Sequence, residues 1–328
     1  MSGTFAKWLL PVAAPHPVRI PPERHDTRDN TRPLGPRPAR PHRRSHDPDR
    51  HVPEQSETER REPHQCECGD MGEVTGMEDR RVVLVTGASR GIGAETARAL
   101  AAGNDHVIIN YREKLKRAQT LADMIIQAGG SASTLGADLS DDKAASDVAA
   151  EVAERFGRLD VLVLNASGGL ELGAGPDYPM RINRDAQLRL VQCVLPLMPS
   201  GSRIVFVTSH QAHFHGRKPV PAEYEPIAES KRAGEDALRE MIPLLSDRGI
   251  DLIVVSGDMI DGTIIVRLLE RRNRDAVEAR RDHGPLPTVE EFARAVADAT
   301  RSKDATGHTV YVGGIDYLST PSSEPTDL

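Results

Sequence analysis

From residue 80 onward, short runs of β-branched and aliphatic residues alternate with longer stretches whose apolar positions recur every three to four residues. The short runs are RVVLV (81–85), HVIIN (106–110), SASTLGA (131–137), LDVLVLN (159–165), SRIVFVT (202–208), DLIVVS (251–256) and HTVYVG (308–313). They predict seven strands. The helical stretches lie near 92–102, 114–128, 141–156, 181–198, 226–247, 264–281 and 288–299. Several strands are apolar at consecutive positions, so both of their faces must be covered. Strict β–α alternation with right-handed crossovers then predicts a single doubly wound α/β domain over residues 77–318, with helices on each side of a parallel seven-stranded sheet. Residues 319–328 read as a flexible tail.

The pattern fails before residue 77. Residues 1–76 hold twelve of the 24 prolines, six of the twelve histidines and only two aromatics, Phe5 and Trp8. Tracts such as RPLGPRPARPHRRSHDPDR bury too little apolar surface to offset chain entropy, so a disordered Pro/Arg/His-rich extension is expected over 1–76. Met77 stands directly before EDRRVVLVTGASRGIG. The segment reads either as an upstream extension of a reading frame that starts at Met71 or Met77, or as a regulatory tail. Basic and acidic residues balance there, twelve against twelve, so the net charge of −7 sits on the remainder. That argues against a nucleic-acid footprint on the domain.

Cys66, Cys68 and Cys193 make neither a disulfide framework nor a zinc-ligand set, and no metal site is expected. No run reaches membrane-spanning length, and FAKWLLPVAAP is too short and too broken by Pro11 for an export signal. A cytoplasmic protein is expected, with no membrane partner.

The most specific local signal is Thr86-Gly87-Ala88-Ser89-Arg90-Gly91-Ile92-Gly93, which leaves the first strand and opens the first helix. Gly87 permits a tight turn, Gly91 lets backbone N–H groups approach a pyrophosphate, and Gly93 lets the helix pack on the sheet with its N-terminus facing the anion. A strand before it, a helix after it and six further units make this a dinucleotide site on a Rossmann-type fold. TGASRGIG resembles the cofactor fingerprint of short-chain dehydrogenases/reductases, and the resemblance runs from about Arg81 to Gly314. It implies an oxidoreductase that moves a hydride to or from a nicotinamide. It also implies that Asp138, with Leu139, in ADLS contacts the adenine. Asn165, Ala166 and Ser167 in LNASGG would line the adenosine ribose, with Leu164 standing where the family has its first Asn.

A site for NAD needs an acid at the end of the second strand to accept the ribose 2′-hydroxyl. This chain has Asn110-Tyr111-Arg112 there, and Arg90 in the glycine loop. Two guanidinium groups suit a 2′-phosphate, because Arg forks onto phosphate oxygens, so NADP(H) is favoured over NAD(H). The plainer reading of Arg112 is a solvated charge at a helix start.

The resemblance implies a phenol that moves the substrate's proton, a Lys whose ammonium lowers the phenol pKa, a Ser that holds the substrate oxygen and an Asn that orients a water. Ser209, Asn183 and Lys231 stand at the Ser, Asn and Lys positions. The usual Y-x-x-x-K spacing is absent, since position 227 is Ile; Tyr224 gives Y-x6-K instead. That spacing is similar to enoyl-acyl-carrier-protein reductases, and one subgroup, reductase III, also resembles NASGG and VSGDMIDGT (255–263). Offsets of four and seven lie within about 60° of one helix face, and Pro226 suits a first helical turn. Three readings stay open: Tyr224 acts from its shifted position, His210, His213 or His215 substitutes, or the site binds cofactor without turnover. The long SHQAHFHGRKPVPAEY segment reads as a polar substrate loop, and Asp258–Pro287 as a lid in which Thr263 holds carboxamide or phosphate.

Two classes follow. One is an NADP(H)-dependent oxidoreductase acting on a small carbonyl, alcohol or enoyl substrate. The other is a non-catalytic NADP(H)-binding or sensing protein of the same fold. The resemblance implies a homodimer or homotetramer built on the helices at 181–198 and 226–247, through Leu188, Leu190, Val191, Leu195, Ala237, Leu238 and Met241.

Overall fold

The computed structural model describes residues 79–319 apart from 172, 174, 273, 283 and 315–317. The extension expected over 1–76 and the tail residues 320–328 lie outside the described residues. Seven strands form one sheet: β1 (Val82–Val85), β2 (His106–Tyr111), β3 (Ser131–Gly136), β4 (Val161–Leu164), β5 (Arg203–Ser209), β6 (Asp251–Gly257) and β7 (Thr309–Val312). Their spatial order is β3-β2-β1-β4-β5-β6-β7, and every pairing is parallel. The order reverses direction between β1 and β4, which opens a crevice beyond the carboxyl ends of those strands.

The connecting helices are α1 (Gly91–Ala102), α2 (Leu115–Gln127), α3 (Ala144–Phe156), α4 (Tyr178–Met180), α5 (Ala186–Val194), α6 (His210–His213), α7 (Glu225–Glu240), α8 (Ile242–Asp247), α9 (Ile264–Arg272), α10 (Arg274–Asp282) and α11 (Val289–Ala299). Alternation along each strand sends its side chains into two cores. Leu84, Ile108, Leu162, Ile204 and Leu252 pack on one face with Val148 and Val152 of α3, Leu190 and Val191 of α5 and Leu238 of α7. Val83, Val107, Val163, Val205 and Ile253 pack on the other with Leu100 of α1, Leu121 and Ile125 of α2, and Phe292 and Val296 of α11. Burial on both faces is why these strands carry unbroken aliphatic runs.

The α5–α7 layer corrects one expectation. Leu190, Val191, Leu195 and Leu238 are fully buried within the single chain, and Leu188 and Met241 pack against the same core. They were expected as surplus apolar surface for assembly; the sheet itself uses them. Among the described residues, the large apolar side chains left exposed are Leu115, Met124 and Ile126 on α2, Leu244 on α8 and Tyr311 on β7. No helix among them is long and apolar enough to cross a membrane.

Candidate cofactor and active site

The glycine turn is held from three sides. Thr86, fully buried, donates its hydroxyl to Val163 O at 3.1 Å and accepts from the N–H groups of Asn165 and Ala166, both at 2.9 Å. Asn110 accepts from Gly87 N–H at 3.2 Å and donates to the carbonyls of Leu135 and Ala137, both at 3.3 Å. Asn165 donates to Thr86 O at 2.8 Å. Asn165 thus ties β4 to the turn rather than presenting its amide to the crevice. Thr86 and Asn110 were not singled out for this role, although each sits at a strand end beside the glycine motif.

The turn leaves room for a ligand. Gly91 has φ +57°, and a Cβ built there would meet nothing within 4 Å. α1 starts here with Arg90 at its N-cap, exposed and making no side-chain capping bond, and no acidic residue lies in its first turn. An open backbone cradle at an uncapped helix N-terminus fits the pyrophosphate of a dinucleotide. Ser89 and Ile92 flank this opening, half-buried. Asp138 lies exposed at the end of β3, where its Oδ1 accepts from Ser140 N–H and hydroxyl at 3.0 and 2.7 Å, and Leu139 is buried beside it. Arg112 donates to the Tyr178 hydroxyl at 2.8 Å and pairs with Glu113 at 3.4 Å and Glu171 at 3.9 Å. It is thus engaged rather than a free fork, although its side chain is 42% exposed. Thr263 caps its own turn, donating to Ile260 O at 2.8 Å and accepting from Val266 N–H at 3.3 Å.

Further along the carboxyl edge, β5 ends in Ser209 and α7 begins after Tyr224, with Pro226 in its first turn. The two hydroxyls approach to 3.2 Å. Ser209 Oγ also caps α6 by accepting from Ala212 N–H at 3.3 Å. This one-turn helix, part of a segment expected to be loop, starts at the residue after Ser209. Tyr224 is almost completely buried in a small apolar cluster with Ala212, Ile227 and Ala228, bordered by Leu170 and Val220.

Burial pushes the Tyr224 phenol above its ordinary pKa, and the bond to Ser209 only partly offsets this. The expectation was a phenol lowered by Lys231; the direction is reversed. Seven residues of helix place Lys231 about 10 Å further along the axis, while the ring sits among aliphatic groups. Lys231 makes no hydrogen bond or ion pair among the described residues, and burial lowers its pKa to about 8.

Asn183 lies in a wide helical turn, Arg181–Asp185, between α4 and α5. Its Oδ1 accepts from the Ser167 hydroxyl at 2.8 Å and Gly168 N–H at 3.3 Å; its Nδ2 donates to Gly168 O and to Ser230 Oγ, both at 3.0 Å. Both lone pairs and both protons are used, so the side chain cannot also orient a water. Gly234 of α7 abuts the Asn183 carbonyl so closely that a Cβ would collide with it.

The three histidines also have protein partners. His210 bonds Ser256 Oγ at 2.8 Å and Gly313 O at 3.1 Å, and burial lowers its pKa. His213 bonds Glu235 at 2.8 Å and the Tyr311 hydroxyl at 2.9 Å, and His215 bonds Glu225 at 2.8 Å. Among the described residues no cluster could hold a metal ion. In the region after β6, α9 and α10 share an apolar cluster of Val266, Leu269 and Val277, joined by Leu286. Arg280 bonds Asp258 at 2.7 Å, with side chains only 12% and 7% exposed, so this part of the charge between 258 and 287 is not mere solvated surface.

The sheet order, the glycine turn and the crevice together define a Rossmann-type dinucleotide-binding protein. The sequence pattern of the short chain dehydrogenases matches residues 81–273, and the chain belongs to that family of oxidoreductases. It is 28% identical to 1-cyclohexenylcarbonyl-CoA reductase of Streptomyces collinus, over 79% of this chain and 92% of that one. It is 29% identical to L-rhamnose 1-dehydrogenase (NAD(P)(+)) of a Sphingomonas species, over 73% and 97%. Versicolorin reductase 1 of Aspergillus parasiticus aligns over less, 33% identical across 42% of this chain and 55% of that one. Among solved structures, an angucycline C-6 ketoreductase with bound NADP superposes with a TM-score of 0.60 at 29% identity, covering 71% of this chain and 95% of that one. A short chain dehydrogenase from Burkholderia cenocepacia in complex with NADP gives 0.61 at 29% identity, covering 72% and 96%.

Proposed function

We propose that the protein is an NADP(H)-dependent reductase of a small carbonyl or enoyl compound, or a dehydrogenase of the corresponding alcohol, with Tyr224 as acid/base. The observation that carries this is the 3.2 Å approach of the Ser209 and Tyr224 hydroxyls at the carboxyl edge of the sheet, in line with the glycine turn. Structural relatives with bound NADP support the cofactor, as do Arg112 after the second strand, where an acid would select NAD, and Arg90 in the glycine loop.

When bound, the nicotinamide supplies or accepts the hydride. The chain's own residues manage the oxygen and its proton. Gly87, Ser89, Arg90, Gly91, Ile92 and Gly93 cradle the phosphates, Asp138, Leu139, Asn165 and Ala166 border the adenosine, and Thr263 stands beside the lid. The Ser209 hydroxyl holds the substrate oxygen, and Tyr224 Oη passes it a proton or takes one back. Asn183 acts on the scaffold, joining the turn after β4 to α7. Lys231, charged below about pH 8, is assigned to the nicotinamide ribose on the family resemblance. The unit is proposed to be a cytoplasmic homo-oligomer.

A second reading, binding without turnover, draws on one observation: the Tyr224 phenol is raised by burial rather than lowered by an ammonium. One experiment separates the two. NADPH consumption is followed against a panel of ketones, quinones and enoyl thioesters, with the native chain and Tyr224→Phe. The enzyme reading expects turnover that falls by about 10²–10⁴ in the variant while cofactor affinity stays. Binding with no turnover on any member of the panel supports the sensor; turnover that survives Tyr224→Phe removes Tyr224 from the mechanism.

A further inference from the structure

The adenosine end of the crevice carries a contact that the proposed function leaves unused. In the sheet, β1 lies between β2 and β4, and the glycine turn sits on its carboxyl end. Arg112 follows β2, whereas Tyr178 opens α4 beyond β4. Their 2.8 Å hydrogen bond therefore joins the two connections that flank β1 and its glycine turn. Glu171, on the same connection as Tyr178, adds a carboxylate oxygen 3.9 Å from the guanidinium and is itself held by Gly169 N–H at 2.5 Å.

The two ends of this bridge differ in freedom. Tyr178 is 9% exposed, with the Arg181 guanidinium 5.6 Å from its ring centroid. The Arg112 side chain is 42% exposed, so it is the movable half. Burial disfavours its charge, but Tyr178, Glu113, Asp138 and Glu171 more than offset this and keep the guanidinium charged. The carboxylate of Asp138, beyond the end of β3, acts electrostatically on both Arg112 and Tyr178, and Asp138 is the residue expected at the adenine.

We propose that Arg112, Tyr178 and Glu171 form a clasp across the adenosine end of the site that must open to admit a dinucleotide. The 2′-phosphate of NADP(H) then takes over the guanidinium. This rests on the reading of the crevice as a nicotinamide dinucleotide site. The opening cost is common to both cofactors, since neither enters a bridged pocket. Only the one carrying a 2′-phosphate returns a partner to Arg112. Tyr178 and Glu171 thus tune affinity for both cofactors, while Arg112 has two opposed effects.

Calorimetric titration of the full chain with NADH and with NADPH, without substrate, tests this. Tyr178→Phe keeps the buried ring and removes the acceptor; it should tighten both cofactors by the same factor, about two- to fivefold for a part-exposed charged contact. Glu171→Gln, at an exposed position, should shift both the same way by less. Arg112→Ala should tighten NADH to a similar degree while weakening NADPH roughly tenfold or more. If Tyr178→Phe leaves both affinities unchanged, or weakens NADPH alone, the clasp is refuted; in the latter case Tyr178 is a phosphate donor. If Arg112→Ala leaves NADPH unchanged, the 2′-phosphate assignment fails, and the Tyr178→Phe titrations still report on the clasp.

Discussion

His106 in β2 bonds Ser131 Oγ through Nδ1 at 2.7 Å and Ser133 Oγ through Nε2 at 2.9 Å. Burial, then the charges of Arg155 and Arg80, lower its pKa to about 4. The unfolded chain takes up this proton near the ordinary value of 6.5, and the folded chain only near 4. Stability from the neutral ring is therefore fully present above 6.5 and is lost as pH falls towards 4. The shift corresponds to roughly 3 kcal/mol. His106→Gln should flatten the fall in urea-unfolding stability between pH 7 and 4, and an unchanged slope would assign that fall to other groups. At this scale the sequence was legible where chemistry is local, as in the glycine turn. It was not legible at Asn183, whose amide is consumed by Ser167, Gly168 and Ser230, up to 47 residues away.

At the scale of elements, short β-branched and aliphatic runs located every strand and the 3.6-residue period each main helical stretch, although 226–247 and 264–281 each prove to be two helices. The pattern missed α6, a single turn with no period to read, whose start is the Ser209 cap. It also under-read the lid. The Arg280–Asp258 pair joins α10 to the segment after β6, and substituting Asp258 removes a buried charge-assisted contact between the two. Asp258→Asn should speed amide hydrogen exchange in α9 and α10 while leaving α1 and β5 protected. Uniform acceleration over the whole domain would mean that the pair supports global stability and not the lid.

For the whole molecule, two closed cores on either side of one parallel sheet account for the apolar surface of α1, α5, α7 and α11. A chain beginning at Met77 should therefore melt within a few degrees of the full chain and bind cofactor alike; a large drop in melting temperature would show that residues 1–76 carry part of the fold. Light scattering at micromolar concentration reads the assembly. A homo-oligomer is expected, and its interface must use surface other than the buried leucines of α5 and α7.

The sequence by itself determined the class of fold, the order of its elements and the glycine turn. Each of these is written in neighbouring residues: aliphatic runs make strands, three- and four-residue spacing makes helices, and glycines open the turn. Tertiary structure alone decided which side chains meet. The hydroxyls of Ser209 and Tyr224 come together across 15 residues, Arg112 and Tyr178 across 66, and His210 and Gly313 across 103. Such contacts depend on strand order and helix placement, which bring distant segments to one edge of the sheet. The same packing raised the Tyr224 phenol instead of lowering it, because the apolar groups around a ring, and not its spacing from a lysine in the chain, set the cost of its charge.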